Sequence, residues 1–139
     1  MKIKIKDLKD LVKGALEKYG YTPEEVLVIS EVMMYAQLRG NNQGIVKLIG
    51  KGVPKNRGSL MPVVVKETPV SGLVDGRGTY SMLVVNKLVE MALEKARKAG
   101  VGIVGNFNTA ESCGALGYYA NRIANQGYIG KIMPHYHYN

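Results

Sequence analysis

Hydrophobic and polar positions alternate with two different periods along this chain. Over residues 6–19, Leu8, Leu11, Val12, Ala15, Leu16 and Tyr19 recur at helical spacing. That is one apolar stripe, and Gly20 closes the helix it predicts. Thr22-Pro23-Glu24-Glu25 then carries the signs of a helix start: a capping Thr22, proline at the first helical position, and Glu25 three residues after the cap. The second helix should run to about Leu38 and stop at Gly40. Its apolar residues wrap most of its circumference, which predicts burial against more than one neighbour. A polar break at 41–44 precedes a short helix over 45–49 with Ile45, Leu48 and Ile49 inward. Residues 51–60 read as loop.

From there the period shortens. Val63-Val64-Val65 and Leu73-Val74 read as strands, with a turn at Asp75-Gly76-Arg77-Gly78. Residues 81–99 form the clearest helix: Met82, Val85, Leu88, Val89, Ala92, Leu93 and Ala96 share one face, and Gly100 caps the end. A β run over 101–107, a polar loop over 108–114, a helix over 115–126 and a strand over 128–133 follow. The alternation predicts an α/β fold: N-terminal helices, then βαβ units with a mostly parallel sheet. Residues 1–60 should form a helical region and 61–139 the βαβ region of the same domain.

Composition narrows the classes. The 139 residues are 46% apolar and 22% charged, the profile of a globular chain. A chain of this length buries roughly 68% of the surface it exposes when unfolded, so it has a core. The single Cys113 excludes an intramolecular disulfide and suits a reducing, cytoplasmic setting. No apolar run is long enough to span a membrane, and the start of the chain lacks the apolar core of a signal peptide.

Lys and Arg number 19 against 11 Asp and Glu, a net charge of +8. The excess points to anionic partners. Arg39, Lys47, Lys51, Lys55, Arg57 and Lys66 fall in a stretch with no Asp or Glu. No aromatic residue lies between Tyr35 and Tyr80, so a base-stacking platform is missing there and nucleic acid is the least supported partner.

Candidate chemistry is sparse. Gly100-Val101-Gly102-Ile103-Val104-Gly105 matches G-x-G-x-x-G, but it follows a helix and overlaps a strand. A dinucleotide fingerprint needs the opposite context. The loop over 106–114, between a strand and a helix, is the better anion site; it holds Asn106, Asn108, Thr109, Glu111 and Ser112. The alternative is a plain capped loop. Gln43 and Lys47 stand at i, i+4, where Lys47 either holds a carboxylate or sits on a solvated face. The only histidines are His135 and His137, so histidine acid–base chemistry in the body of the chain is excluded. Two histidines in an extended tail fall short of a metal site. No metal is expected.

Several segments together resemble the malate/L-lactate dehydrogenase-like family of NAD(P)-dependent oxidoreductases, which is distinct from the Rossmann-type malate and lactate enzymes. They are Leu38-Arg39-Gly40 leading to Gly44-Ile45, Val63-Val64-Val65-Lys66-Glu67-Thr68-Pro69, Val74-Asp75-Gly76, Gly100-Val101-Gly102, Gly114-Ala115-Leu116-Gly117-Tyr118-Tyr119-Ala120 and Gly127-Tyr128-Ile129-Gly130. The resemblance implies NAD or NADP as cofactor, a small 2-hydroxy or 2-oxo acid as substrate, and a homo-oligomer. It places Gln43 where the family has a proton-handling histidine, and Ser112 where it has a second histidine. It sets Lys47 where an arginine holds the substrate carboxylate, with Arg39 a further substrate-binding candidate. Glu111 is then left as the candidate proton-transfer group. Family chains are much longer, so the resemblance implies a truncated unit, weakly active or inactive alone and without a complete cofactor site. The contrasting reading is a non-catalytic module that binds an anion or a protein through the basic stretch.

Overall fold

The computed structural model describes residues 2–134. His135 and His137 lie outside the described residues. Helices α1 (Ile5–Lys18), α2 (Pro23–Gln37) and the short α3 (Val46–Gly50) precede strands β1 (Val63–Glu67) and β2 (Ser71–Asp75). Helix α4 (Ser81–Ala99), strand β3 (Ile103–Phe107) and helix α5 (Leu116–Ala124) complete the order. The fold is α/β, as the alternating periods predict.

Local chemistry explains the helix boundaries. The Thr22 hydroxyl accepts from the Glu25 amide at 3.4 Å, and the Glu25 carboxylate accepts from the Thr22 amide at 2.9 Å. This reciprocal cap satisfies two donors that an open helix end leaves unpaired. Gly100 ends α4 at φ 81°, a conformation that costs glycine little.

α2 is buried around most of its circumference, packing on α1, α4 and α5. The main core joins Leu16 of α1, Ile29 and Met33 of α2, Met82 and Val89 of α4, and Tyr119 and Ile123 of α5. A smaller cluster of Val74, Val84 and Leu88 fixes α4 to the sheet. Lys95 of α4 adds a polar tie, donating to the Glu67 carboxylate and the Thr68 carbonyl, both at 2.8 Å.

The sheet order is β1-β2-β3. β1 and β2 form an antiparallel pair with an irregularity between Val64 and Lys66, and β2 and β3 pair in parallel across the α4 crossover. One βαβ unit is thus complete. The strand expected over 128–133 does not form. The Tyr128 amide turns back to the Ile123 carbonyl at 3.4 Å, and Tyr128 and Ile132 pack on the helical core. The two-residue alternation was real, but its buried face meets helices rather than β3. Ile49, expected inward, is 80% exposed. Ile45 is buried and stands in helical register with Ile49, whose amide donates to its carbonyl at 3.1 Å, but α3 ends one residue later and among the described residues nothing packs over Ile49.

Candidate functional site

The candidate site lies beyond the carboxyl ends of β2 and β3, where parallel sheets bind ligands. Two loops meet there and are laced by backbone bonds: Gly76 donates to Phe107 at 2.9 Å, Gly78 to Asn108 at 2.9 Å, and Ala110 to Thr79 at 2.9 Å. The Asp75 carboxylate accepts from the Arg77 amide at 2.8 Å and the Asn108 side chain at 2.9 Å. The Ser81 hydroxyl, at the start of α4, donates to the Glu111 carbonyl at 2.8 Å and accepts from the Thr109 hydroxyl at the same distance. Loop 108–114 is therefore held from both sides, and the Ser112 hydroxyl also accepts from the Gly114 amide at 3.1 Å, as a capped loop would have it.

The hold forces an unusual backbone. Asn108 has φ 53° and Glu111 φ 61°. Asparagine tolerates the left-handed region, whereas glutamate pays for it. Its carboxylate reaches Lys51 at 2.9 Å, an exposed pair of small intrinsic worth. Glu111→Gly should accordingly leave stability unchanged or raise it by up to about 1 kcal/mol, despite the lost ion pair. A urea midpoint that falls markedly would show Glu111 to be a structural anchor.

Gly44 seats the other wall. It is buried, and a Cβ there would meet the Gln37 amide nitrogen at 2.8 Å and the Met33 carbonyl at 3.0 Å. Only glycine lets the segment lie this close to α2. Gln43 is thereby brought to loop 108–114: the Ser112 hydroxyl donates to its side-chain carbonyl at 3.3 Å, across 69 positions of sequence. Lys47, half-buried on α3, completes the group. Burial pushes its amine below the usual lysine range, Cys113 and Glu111 pull it back up, and Lys51 adds to the lowering.

Gln43, Lys47, Glu111 and Ser112 are thus gathered in one region. Arg39 points elsewhere: its guanidinium stacks 3.6 Å from the Tyr35 ring centre and donates to the Tyr35 carbonyl at 3.2 Å. Sequence reading missed Ser81 and counted Lys51 only within the basic stretch, since their partners lie 30 and 60 residues away. The basic stretch is partly neutralised, since Lys55 pairs with Glu25 at 2.6 Å and Lys51 with Glu111.

A family model described as malate/L-lactate dehydrogenase matches residues 3–137. The chain belongs to this family. The L-sulfolactate dehydrogenase of Methanocaldococcus jannaschii is 31% identical over 135 residues, covering 94% of this chain and 39% of the relative. A malate dehydrogenase of Pyrococcus abyssi is 33% identical over 132 residues, covering 91% of this chain and 36% of the relative. The structure of malate dehydrogenase from Pyrococcus horikoshii superposes with a TM-score of 0.80 at 25% identity, covering 91% of this chain and 38% of that one. This member of the family spans under two-fifths of the length of these relatives.

The G-x-G-x-x-G run builds no phosphate cradle. Gly100 is a helix cap, Gly102 backs onto the Ala92 carbonyl, and Gly105 lies within β3, so none opens a helix toward a pyrophosphate. The cleft beside Glu111, lined by Tyr21, Lys55 and Tyr80 among others, measures about 210 Å³. Among the described residues no group of three or more His, Cys, Asp or Glu is placed to hold a metal ion, and no helix is long and apolar enough to cross a membrane.

Proposed function

We propose that this chain is the substrate-anion portion of a malate/L-lactate dehydrogenase-type oxidoreductase, binding a small 2-hydroxy or 2-oxo acid with little or no turnover alone. The Ser112–Gln43 contact carries the reading: it joins the two segments that family resemblance assigns to the reacting centre. Lys47 supplies a point charge for the acid's carboxylate, without the two-pronged grip of an arginine. The hydroxyl of Ser112 and the amide of Gln43 offer hydrogen bonds but do not titrate near neutrality, and general acid–base catalysis is worth about 10²–10⁴ in rate. Glu111 is the remaining proton-transfer candidate, and it is engaged by Lys51. A nicotinamide cofactor belongs to the family reading. Self-association belongs to it as well, supported by the exposed Leu73, Ile103 and Phe107 on the open face of the sheet.

The test titrates L-malate and oxalate against the chain by calorimetry, with NADH and NADPH fluorescence titrations and a malate, lactate, sulfolactate and ureidoglycolate screen alongside. Saturable acid binding that Lys47→Met weakens about tenfold, with turnover at least about a hundredfold below a full-length relative, is expected. No acid binding in the millimolar range would overturn the site. Turnover matching a full-length relative would overturn the inactivity, and Glu111→Gln would then show whether that residue moves the proton.

A further inference from the structure

The cleft beside Glu111 is walled by four stretches that the sequence keeps apart: Tyr21 and Glu25 around the start of α2, loop 54–59, the residues about Tyr80 that open α4, and loop 110–111. All four are described residues, so the cleft is complete without further chain. Its 210 Å³ is room for about seven waters.

Two tyrosines meet in it. The rings of Tyr21 and Tyr80 lie with centroids 6.2 Å apart, and the residues are only 7% and 6% exposed. A tyrosine buried this far normally gives its hydroxyl a partner. Tyr118 and Tyr119 do so, donating to Glu31 and to the Cys113 carbonyl. Among the described residues the hydroxyls of Tyr21 and Tyr80 have none. No fully enclosed side-chain nitrogen or oxygen among those residues lacks a partner, so both hydroxyls reach open space. The cleft is the space that both residues line.

The charges around it are already balanced. Glu25 is held by Lys55 at 2.6 Å and Glu111 by Lys51 at 2.9 Å. Lys55 Nζ lies 5.8 Å from the centre of the Tyr21 ring, so the chain itself supplies the cation that an aromatic face attracts. A cationic ligand would meet Lys55, and an anionic one would meet two carboxylates. Hydrogen-bonding capacity of both kinds is nevertheless left over. Glu25 takes one of the three donors of Lys55, and it does so through Oε2, which also accepts from the Thr22 amide, leaving Oε1. Burial, then Glu25 and Glu111, push Tyr21 up to about 12, and burial, then Tyr21 and Glu111, raise Tyr80 further. Both hydroxyls therefore keep their protons at neutral pH, where each can donate and accept.

We propose that this cleft binds a small uncharged polyol, between glycerol and a pentose in size, whose hydroxyls pair with those of Tyr21 and Tyr80 while its C–H face lies on their rings. Gln43, Lys47 and Ser112 do not line the cleft. The proposal therefore goes beyond the acid-binding reading and stands or falls separately from it.

Titration of the full chain with D-ribose and glycerol, followed by the amide NMR signals of Tyr21, Tyr80 and Ala110, tests it. Saturable shifts are expected, with a Kd for D-ribose on the order of 1 mM. Tyr21→Phe and Tyr80→Phe keep the rings. Each should weaken binding about threefold to tenfold, the worth of one hydrogen bond, and leave the urea midpoint unchanged or higher, because no internal partner is lost. The cation serinol and the anion 3-hydroxypropionate, both close to glycerol in size, should bind more weakly than glycerol. No saturable shift with either polyol, or binding indifferent to both Phe variants, would overturn the site. A urea midpoint that falls would show the hydroxyls to be bonded within the fold and would overturn it too. A charged probe that binds as tightly as glycerol would overturn the assignment to an uncharged ligand.

Discussion

Tyr119→Ala is expected to destabilise the protein by about 3–5 kcal/mol, a large share of the roughly 5–15 kcal/mol that holds a domain of this size. Tyr119 is fully buried and is the largest such side chain. Its ring meets Tyr118 edge-on, centroids 5.2 Å apart. Its hydroxyl donates to the Cys113 carbonyl at 2.7 Å. The residue fills the space between α5 and α4, and it also holds the loop that presents Ser112. Tyr119→Phe separates the two roles: it keeps the ring and orphans the Cys113 carbonyl, at a cost of about 1–2 kcal/mol. Urea unfolding of both variants checks this. A loss below about 1 kcal/mol for the alanine variant would mean α5 does not pack as described.

Alkaline unfolding is the second large effect. Burial raises the hydroxyls of Tyr80 and Tyr119 well above the usual tyrosine range, with nearby Tyr21 and Cys113 respectively adding to it. Tyr118 rises through burial and through its 2.7 Å bond to Glu31. Tyr21 is pushed up to about 12 by burial, then by Glu25 and Glu111. An unfolded tyrosine ionises near pH 10, so the unfolded chain loses protons that the folded chain keeps. Stability from this source is complete below about pH 10 and drains as pH climbs through the raised folded values. The slope is up to about 1.4 kcal/mol per pH unit for each tyrosine that stays protonated only in the folded chain. Lys47, shifted downward, acts in the opposite sense and gains with pH. Tyrosine absorbance and circular dichroism should therefore change together above about pH 10.5. Separate transitions, with tyrosinate forming in a folded chain near pH 10, would contradict the burial.

The site was legible in pieces. Gln43 and Ser112 were marked from local patterns and resemblance, yet their contact spans 69 positions. Lys51 was marked only as one charge of the basic stretch, because a lysine there looks the same whether or not Glu111 waits for it. Arg39 looked like an anion ligand by type, but the Tyr35 face one helical turn away holds it. The strain at Glu111 had no sequence signature, since a left-handed glutamate arises only where neighbouring bonds leave no other path.

What the sequence determined by itself was local. The Thr22–Glu25 cap, the stop at Gly100 and the apolar faces of α1 and α4 follow from interactions within a few residues. Such signals survive because they need no partner to be defined. Tertiary structure alone decided which surface each apolar face would meet. Residues 128–133 keep a strand's alternation, yet they lie on α5 and leave β3 open. A two-residue period states that one side is buried but is silent on what buries it. The gathering of Gln43, Lys47, Glu111 and Ser112 was decided the same way, by the close seat of Gly44 on α2 and by the two loops at the ends of β2 and β3.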